Sequence, residues 1–234
     1  MNWEESKALT ALKKDFLKAF FERSQAFFLS GGSALGIFYL QHRLSYDLDF
    51  FTTDERTEWH LLDNEVRSVS GAIGAQCQAI TTAPTFRRYQ LNRNTERELL
   101  DFVVEMVPQI DADKAQFGKL RVDTLREITA NKICTLIGRC ELKDLVDLFF
   151  LNKRGFKVRD HFATAHQKEG GLDPAMISFI LSRTTIDKVP DYVIEPLTLG
   201  ELQTFVRELQ REMALLAYPS QQPGRGRVTD PTAQ

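Results

Sequence analysis

The chain has 234 residues and a mass of 26.8 kDa, with 43% hydrophobic and 26% charged residues. These proportions exclude disordered and fibrous proteins. The 30 basic and 32 acidic residues nearly cancel, which excludes a broad basic surface for nucleic acid and leaves only a local patch. Three cysteines without C-x-x-C spacing argue against a disulfide framework and a zinc knuckle. Because we find no signal peptide and no apolar run of membrane-spanning length, we predict a cytoplasmic protein without a membrane partner.

The first half of the chain mixes helical and strand-like patterns. Apolar residues at steps of three and four predict helices, and alternating apolar and polar residues predict strands. In chain order we predict a helix over 4–22, a strand, glycine turn and helix over 26–42 with the helix opening at Ser33, a strand over 46–51, a helix over 54–70, and strands over 74–83, 85–93 and 96–107. The last two of these strands are predicted to form a hairpin.

The second half returns to helical periodicity. Asp173 and Pro174 predict the start of one helix, and Thr198 with Glu201 forms a capping box at the start of another. The predicted helices cover 123–138, 141–153, 157–168, 174–182 and 199–217. The predicted organisation is an α/β (α+β) domain over 1–122 with a mixed sheet of four to six strands flanked by helices, a helical domain over 123–217, and a disordered tail over 218–234.

Two aspartates stand out on the strand that follows the glycine turn. Asp47 and Asp49 are two residues apart, so their carboxylates lie on one face about 6.5 Å from each other. Two carboxylates at this spacing suit Mg²⁺, which takes one or two protein carboxylates together with substrate phosphates. The alternative is a solvent-facing strand surface with no ligand.

The glycine turn itself has a chemical interpretation. Gly31, Gly32 and Ser33 lie where a strand gives way to a helix, and Asp47 follows 14 residues after Ser33. Glycines allow backbone N–H groups to approach a phosphate at a helix N-terminus. The alternative is a plain tight turn with Ser33 as helix cap.

A third acidic residue lies on a later strand. Even-numbered positions from Leu100 to Met106 are apolar and form the core face, so Asp101 lies on the opposite face. There it could complete a metal site or act as a base toward a hydroxyl group. Glu105 shares that face and is the competing candidate.

Together these residues resemble a known arrangement. A glycine-rich turn, a D-x-D strand and one later acidic residue are typical of the polymerase-β-like nucleotidyltransferases. More specifically, GGSALGIFYLQHRLSYDLDFF over 31–51 resembles the AbiEii/AbiGii toxin family. A second block, ITANKICTLIGRCELKDLVDLFFL over 128–151, resembles the downstream pattern of that family. The resemblance covers a little over half of the chain and implies a nucleotidyltransferase-type fold.

The second block carries charges where a helix should be apolar. Lys132 lies on the apolar stripe between Ile128 and Leu136, so it needs an anionic partner. That partner is either the triphosphate of a nucleotide or one of Asp144 and Asp147.

Three arginines have open roles. Arg139 is a candidate ligand for a nucleotide or acceptor phosphate. Arg43 either reaches a phosphate or closes a turn beside Asp47. Arg87 and Arg88 are adjacent on a strand, where they either contact nucleic acid or form an exposed face.

The resemblance implies Mg²⁺-dependent transfer of a nucleoside monophosphate from an NTP to an acceptor hydroxyl, by a toxin that a cognate antitoxin restrains. RNA such as tRNA is the acceptor that it suggests. The alternatives are a small-molecule nucleotidyltransferase and a non-catalytic binding module on the same fold. The predicted catalytic residues are Asp47, Asp49, Asp101, Lys132 and Asp147; the metal ligands are Asp47, Asp49 and Asp101; the nucleotide-binding residues are Gly32, Ser33, Arg43, Lys132 and Arg139.

Overall fold

A computed structural model of the protein describes residues 2–218, which form a seven-stranded mixed sheet and eight α-helices. The strands are β1 Phe28–Leu29, β2 Asp47–Thr52, β3 Gln76–Ala83, β4 Phe86–Arg93, β5 Glu96–Val104, β6 Ala115–Phe117 and β7 Leu120–Val122. The helices are α1 Ala11–Phe21, α2 Gly31–Ala34, α3 Trp59–Ala72, α4 Leu125–Gly138, α5 Leu142–Lys153, α6 Val158–Lys168, α7 Pro174–Arg183 and α8 Leu199–Ala217. Helix α2 continues directly into a π-helix over Leu35–Leu40.

The strand register lines up three charged residues across the sheet. The strand order is β3-β4-β5-β2-β1-β7-β6, with β2 parallel to β5 and β5 antiparallel to β4. Asp49 is the register partner of Asp101, and Asp101 is the register partner of Arg88. Because directly opposite residues project from the same face of a sheet, these three side chains share one face.

The other face of the sheet is closed by aromatic packing against α1. The rings of Phe50 and Phe102 stack with their centroids 4.5 Å apart, and Phe20 of α1 packs edge-on to them at 5.1 and 5.4 Å. All three side chains are fully buried. Since side chains alternate along a strand, burial of Phe50 and Phe102 directs Asp49 and Asp101 away from this core.

Helix α4 faces the acidic side of the sheet. It packs against α5, α6 and α7 and also contacts α2. A cleft lies between the sheet and α4, and residues of both line it. None of the helices in residues 2–218 is long and apolar enough to cross a bilayer.

The predicted fold class is confirmed, and the five predicted helices of the second half are present with bounds within two residues. The predicted number of strands, four to six, is wrong because the sheet also contains the short strands β6 and β7. The two strands are joined by a turn at Gly118, and each has only three residues. A strand of three residues is too short to show an alternating pattern.

Several predicted bounds are also wrong. The first long helix begins at Ala11 rather than at residue 4, because the Thr10 side chain caps it by accepting a hydrogen bond from the Lys13 N–H group. The next long helix begins at Trp59 rather than at residue 54. The strand predicted to reach residue 107 ends at Val104, and Met106 is exposed rather than in the core.

The division into domains over 1–122 and 123–217 stays a prediction. The predicted tail over 218–234 lies, beyond residue 218, outside the described residues.

Candidate active site

Three carboxylates meet on the cleft side of β2 and β5. Asp47, Asp49 and Asp101 offer oxygen atoms that all lie within 4.8 Å of one another. Glu105, the competing candidate, lies beyond the end of β5, and its carboxylate accepts a hydrogen bond from the Val107 N–H group at 3.0 Å. The third member of this group, which we call the cleft cluster, is Asp101 because its oxygen atoms lie near those of Asp47 and Asp49, whereas Glu105 lines the cleft farther along.

The carboxylates of the cleft cluster repel one another. Burial, together with the charges of Asp47 and Asp101, raises the pKa of Asp49 to about 7. Within residues 2–218, Arg88 is the only basic residue that forms an ion pair with a member of the cluster. The Ser45 hydroxyl donates a hydrogen bond to Asp47 at 3.1 Å. The three carboxylates thus keep a net negative charge beside one guanidinium, which is the charge balance and the oxygen-rich chemistry of a divalent-cation site.

The glycine turn brings backbone directly against these side chains. Gly31 has a φ of +66°, and a Cβ atom added there would lie 2.6 Å from Asp49 Oδ2. A Cβ atom on Gly32 would overlap the guanidinium of Arg43. Both positions therefore require glycine, the first also for its left-handed conformation.

The helix after β1 begins at Gly31, so the prediction that it opens at Ser33 is wrong. The Ser33 side chain is fully buried. Its hydroxyl accepts a hydrogen bond from the Asp49 N–H group at 3.4 Å, which ties the turn to β2. The serines that line the cleft are Ser45 and Ser30, and Ser30 is the residue at the N-cap position. A nucleotide-binding role for Ser33 stays a prediction.

A second group of charges lies buried on the helical side of the cleft. Asp147 of α5 accepts hydrogen bonds from Arg43 Nε at 2.6 Å and Arg43 Nη2 at 2.8 Å. Its carboxylate also lies 2.7 Å from His42 Nε2 and 2.6 Å from Lys132 Nζ. Although burial opposes ionisation, the charges of Lys132 and Arg43 hold the pKa of Asp147 well below its ordinary value.

Asp144 completes this second group. Lys132 Nζ lies 2.8 Å from Asp144 Oδ1, and Arg139 Nε lies 3.0 Å from Asp144 Oδ2. Burial opposes ionisation here too, yet the charge of Lys132 lowers the pKa of Asp144. We call Asp144 and Asp147 the framework pair.

The framework pair supplies anionic partners for Lys132 and Arg43, and a nucleotide-binding role for either residue stays a prediction. Lys132 contacts both aspartates rather than one of them, at the foot of the cleft that it lines. The Arg43 guanidinium makes two hydrogen bonds to Asp147, and its Nη1 donates another to the Leu44 carbonyl oxygen at 2.9 Å.

The cleft between the two groups has a volume of about 340 Å³. This volume falls within the range of small-molecule sites. The sheet side contributes Ser30, Gly31, Gly32, Asp47 and Asp49, and the helical side contributes Asn131, Lys132, Thr135, Arg139 and Lys143. One wall is therefore acidic and the opposite wall basic, an arrangement that can hold a cation together with the phosphates of a ligand.

Comparison with known families decides the identity. The family described as "Nucleotidyl transferase AbiEii toxin, Type IV TA system" matches residues 15–221. The chain belongs to this family. The matched region contains the cleft cluster and the framework pair. A comparison with curated proteins finds no match.

Two solved structures support the fold of this AbiEii-family chain, and a third is similar to a lesser degree. A candidate nucleotidyltransferase from H. pylori has a TM-score of 0.55 and 20% identity, covering 88% of this chain and 94% of the other. JHP933 from Helicobacter pylori has a TM-score of 0.54 and 20% identity, covering 88% and 92%. MenT4, a nucleotidyltransferase toxin from Mycobacterium tuberculosis, has a TM-score of 0.47 and 16% identity, covering 87% and 82%.

Sequence reasoning about this AbiEii nucleotidyltransferase missed several residues at the cleft. Lys143 lines the cleft and His42 lies buried beside Asp147, and neither could be found because a single charged residue does not reveal which residue it contacts. Asn131 and Thr135 flank Lys132 and lie four residues apart on α4. That spacing could have indicated a polar face of α4 directed at the cleft, since polar residues at i and i+4 on a buried helix share one face.

Proposed function

We propose that this AbiEii-family nucleotidyltransferase moves a nucleoside monophosphate from an NTP to a hydroxyl group of RNA, such as tRNA, with Mg²⁺ as cofactor. The observation that carries the proposal is the cleft cluster of three carboxylates, two of which, Asp47 and Asp49, face a basic wall across a cleft of about 340 Å³. Phosphoryl transfer needs this combination of positioned negative and positive groups.

The cleft cluster fits Mg²⁺ by its donor chemistry. Asp47, Asp49 and Asp101 supply hard oxygen ligands, and the pKa of Asp49 is raised by burial and by the neighbouring carboxylates, both of which a bound cation would offset. These three residues would hold the ion. When bound, it supplies charge neutralisation at the triphosphate and at the attacking oxygen.

The basic wall would bind the phosphates. Arg43 and Lys132 are held in place by Asp147, and Arg139 by Asp144. Donors fixed in advance need no rearrangement when negative charge develops on a leaving group. Asp147 therefore contributes as a positioning residue that acts through Arg43 and Lys132.

The glycine turn would approach the same phosphates from the sheet side. Gly32 lines the cleft and follows Gly31 at the start of a helix. Its lack of a side chain leaves room for the Arg43 guanidinium, so backbone and guanidinium can reach one ligand. Ser33 belongs to the same proposed phosphate-binding turn.

The proposed reaction balances with these groups. The oxygen of the acceptor hydroxyl forms a bond to the α-phosphorus, and the bond from that phosphorus to its bridging oxygen breaks. Pyrophosphate leaves with the electron pair of the broken bond. The hydroxyl proton passes to Asp101, the member of the cleft cluster that lies on β5.

The biological setting follows from the family. A type IV toxin–antitoxin family implies a cognate antitoxin and a nucleotide substrate. The proposed target is RNA in the cytoplasm. Arg139 is half-exposed beside the cleft and Lys143 lines it, which provides the local basic patch that a nearly neutral chain needs.

The test is a labelling experiment. Purified protein is incubated with Mg²⁺, total tRNA and each α-labelled NTP in turn, beside an Asp47→Ala/Asp49→Ala control. We expect label in RNA with the wild type only. Label in RNA with both proteins would contradict the role of the cleft cluster. NTP binding without labelled RNA would favour a small-molecule acceptor, and absence of NTP binding would favour a binding module.

A further inference from the structure

The carboxylate of Asp101 is occupied by a neighbour on the adjacent strand. Arg88 Nε lies 2.6 Å from Asp101 Oδ1, and Arg88 Nη2 lies 2.5 Å from Asp101 Oδ2. The two residues are register partners on β4 and β5, so the strand pairing itself brings them together. Such paired hydrogen bonds are the strongest contact between an arginine and a carboxylate.

This contact conflicts with the role proposed for Asp101. A metal ligand or a base must offer an oxygen lone pair, and although each carboxylate oxygen keeps a second one, both oxygens already accept a hydrogen bond from a positive group that weakens their basicity. A cation bound to either oxygen would also lie within a few ångströms of the guanidinium, where two like charges repel each other. Asp101 therefore serves Arg88 or a metal ion well, but not both.

The Arg88 side chain has room to move away from Asp101. Its side chain is 35% exposed, whereas the Asp101 side chain is 8% exposed. The guanidinium carbon already lies 5.6 Å from the centre of the Phe86 ring, an aromatic face on which an arginine can rest. Arg43, which binds the carboxylate of Asp147, is 4% exposed and has no comparable freedom.

We infer that Arg88 is a positioning residue that occupies Asp101 in place of a cation while the site is free of metal. It withdraws toward Phe86 and solvent when a divalent cation binds. This inference rests on the proposed function, because it requires the cleft cluster to be a metal site. Its consequence is that Arg88 lowers the affinity of the free enzyme for cations. In the absence of a cation, Arg88 also offsets the repulsion among the three carboxylates and so stabilises the folded protein.

The experiment measures Mn²⁺ binding by electron paramagnetic resonance, without nucleotide, on full-length variants. We expect Arg88→Gln to bind Mn²⁺ about fivefold to tenfold more tightly than the wild type, the scale of one charge interaction near a surface. Arg88→Lys, which keeps the positive charge, should stay near wild type. The matched control is Arg87→Gln, because Arg87 stacks on Trp59 at 4.5 Å and makes no ion pair with the cluster. This control should leave the affinity unchanged.

A second measurement, thermal unfolding, reports whether removing Arg88 destabilises the protein. In EDTA, Arg88→Gln should lower the unfolding temperature, and saturating Mn²⁺ should restore most of the loss, because a bound cation relieves the same repulsion. Arg87→Gln keeps the cluster intact, so Mn²⁺ should raise its unfolding temperature by the same amount as that of the wild type.

Two results would overturn the inference while leaving the proposed function in place. If Arg88→Gln binds Mn²⁺ with wild-type affinity, Arg88 is only structural. If it binds more weakly, Arg88 orients Asp101 for the metal instead of competing with it. If the wild type binds no Mn²⁺ at the cleft cluster, the inference and the proposed metal site fail together.

Discussion

The cleft cluster and the framework pair are built from the same residue type and behave in opposite ways. In the cleft cluster, burial and neighbouring carboxylates raise the pKa of Asp49 to about 7. In the framework pair, the charges of Lys132 and Arg43 hold the pKa of Asp147 well below its ordinary value, against the effect of burial. The cleft cluster thus has more negative than positive charge, whereas the negative charge of the framework pair is neutralised by neighbouring basic side chains.

This difference teaches which carboxylates await a ligand. A carboxylate that is fully paired within the protein stabilises the fold and gains little from a cation. A cluster that repels itself destabilises the fold until a ligand of opposite charge arrives. Local charge balance, rather than the presence of aspartates, identifies the cation site.

The largest expected effect concerns stability at the framework pair. Asp147→Ala leaves Arg43 and Lys132 buried with too few negative partners, and loss of one partner from a buried ion pair costs about 3 to 5 kcal/mol. Thermal unfolding should begin about 10 °C lower than in the wild type. Asp187→Ala, at an exposed loop position, is the control and should change nothing. An unaltered unfolding temperature for Asp147→Ala would mean that the framework pair is not structural.

The next effect concerns the glycine that touches the cleft cluster. Gly31→Ala adds a Cβ atom 2.6 Å from Asp49 Oδ2 at a φ of +66°, so strain and displacement of Asp49 add together. Gly118 has a φ of +65°, and a Cβ atom added there would have nothing within 4 Å. Gly118→Ala therefore measures only the backbone strain of a left-handed alanine, without a steric contact. We expect about 1 kcal/mol of destabilisation for Gly118→Ala and at least twice that for Gly31→Ala, measured by urea unfolding. Equal losses would show that the contact with Asp49 is unimportant.

A smaller effect of opposite sign is expected at Asp49. Because its pKa is raised in the folded state, the folded protein binds more protons than the unfolded chain between about pH 4 and pH 7. Stability from this group is therefore present at low pH and lost as the pH rises toward 7. Asp49→Asn removes the charge, so in EDTA at pH 8 it should be more stable than the wild type by about 1 to 2 kcal/mol. Nucleotidyl transfer should be abolished.

Urea unfolding at pH 5 and pH 8 checks this prediction. The advantage of Asp49→Asn over the wild type should be larger at pH 8, where the wild-type carboxylate is charged. An advantage that does not change with pH would show that Asp49 does not titrate in this range.

The smallest effect is the pH dependence of cation binding. A metal ion binds the deprotonated carboxylate, and the pKa of Asp49 is raised to about 7. Affinity for Mn²⁺ should therefore be about tenfold lower at pH 6 than at pH 8, as expected for one titrating group. Isothermal titration calorimetry measures it, and equal affinities at both pH values would exclude proton competition at Asp49.

Part of this site could be predicted from sequence because it depends on local periodicity. Asp47 and Asp49 share a face through strand alternation, and Asp101 is distinguished by the apolar residues on either side of it. The structure places all three within one cluster. The five helices after residue 123 follow from helical periodicity and caps in the same way.

The remaining features depend on contacts between distant segments. Arg88 meets Asp101 through the pairing of β4 with β5, a register that the sequence does not display. Arg43 meets Asp147 across 104 residues, so its partner could not be read from its neighbours. Strands β6 and β7 are three residues each, too short for a periodic pattern.

The most direct test of the contrast between the two acidic groups is a thermal unfolding titration with Mn²⁺. We expect the wild-type unfolding temperature to rise steadily with Mn²⁺ concentration, because a ligand that binds only the folded state stabilises it. The Asp47→Asn/Asp49→Asn variant should unfold at one temperature regardless of Mn²⁺. A wild-type protein that shows no rise, or a variant that rises as much as the wild type, would contradict the assignment of the cleft cluster as the cation site.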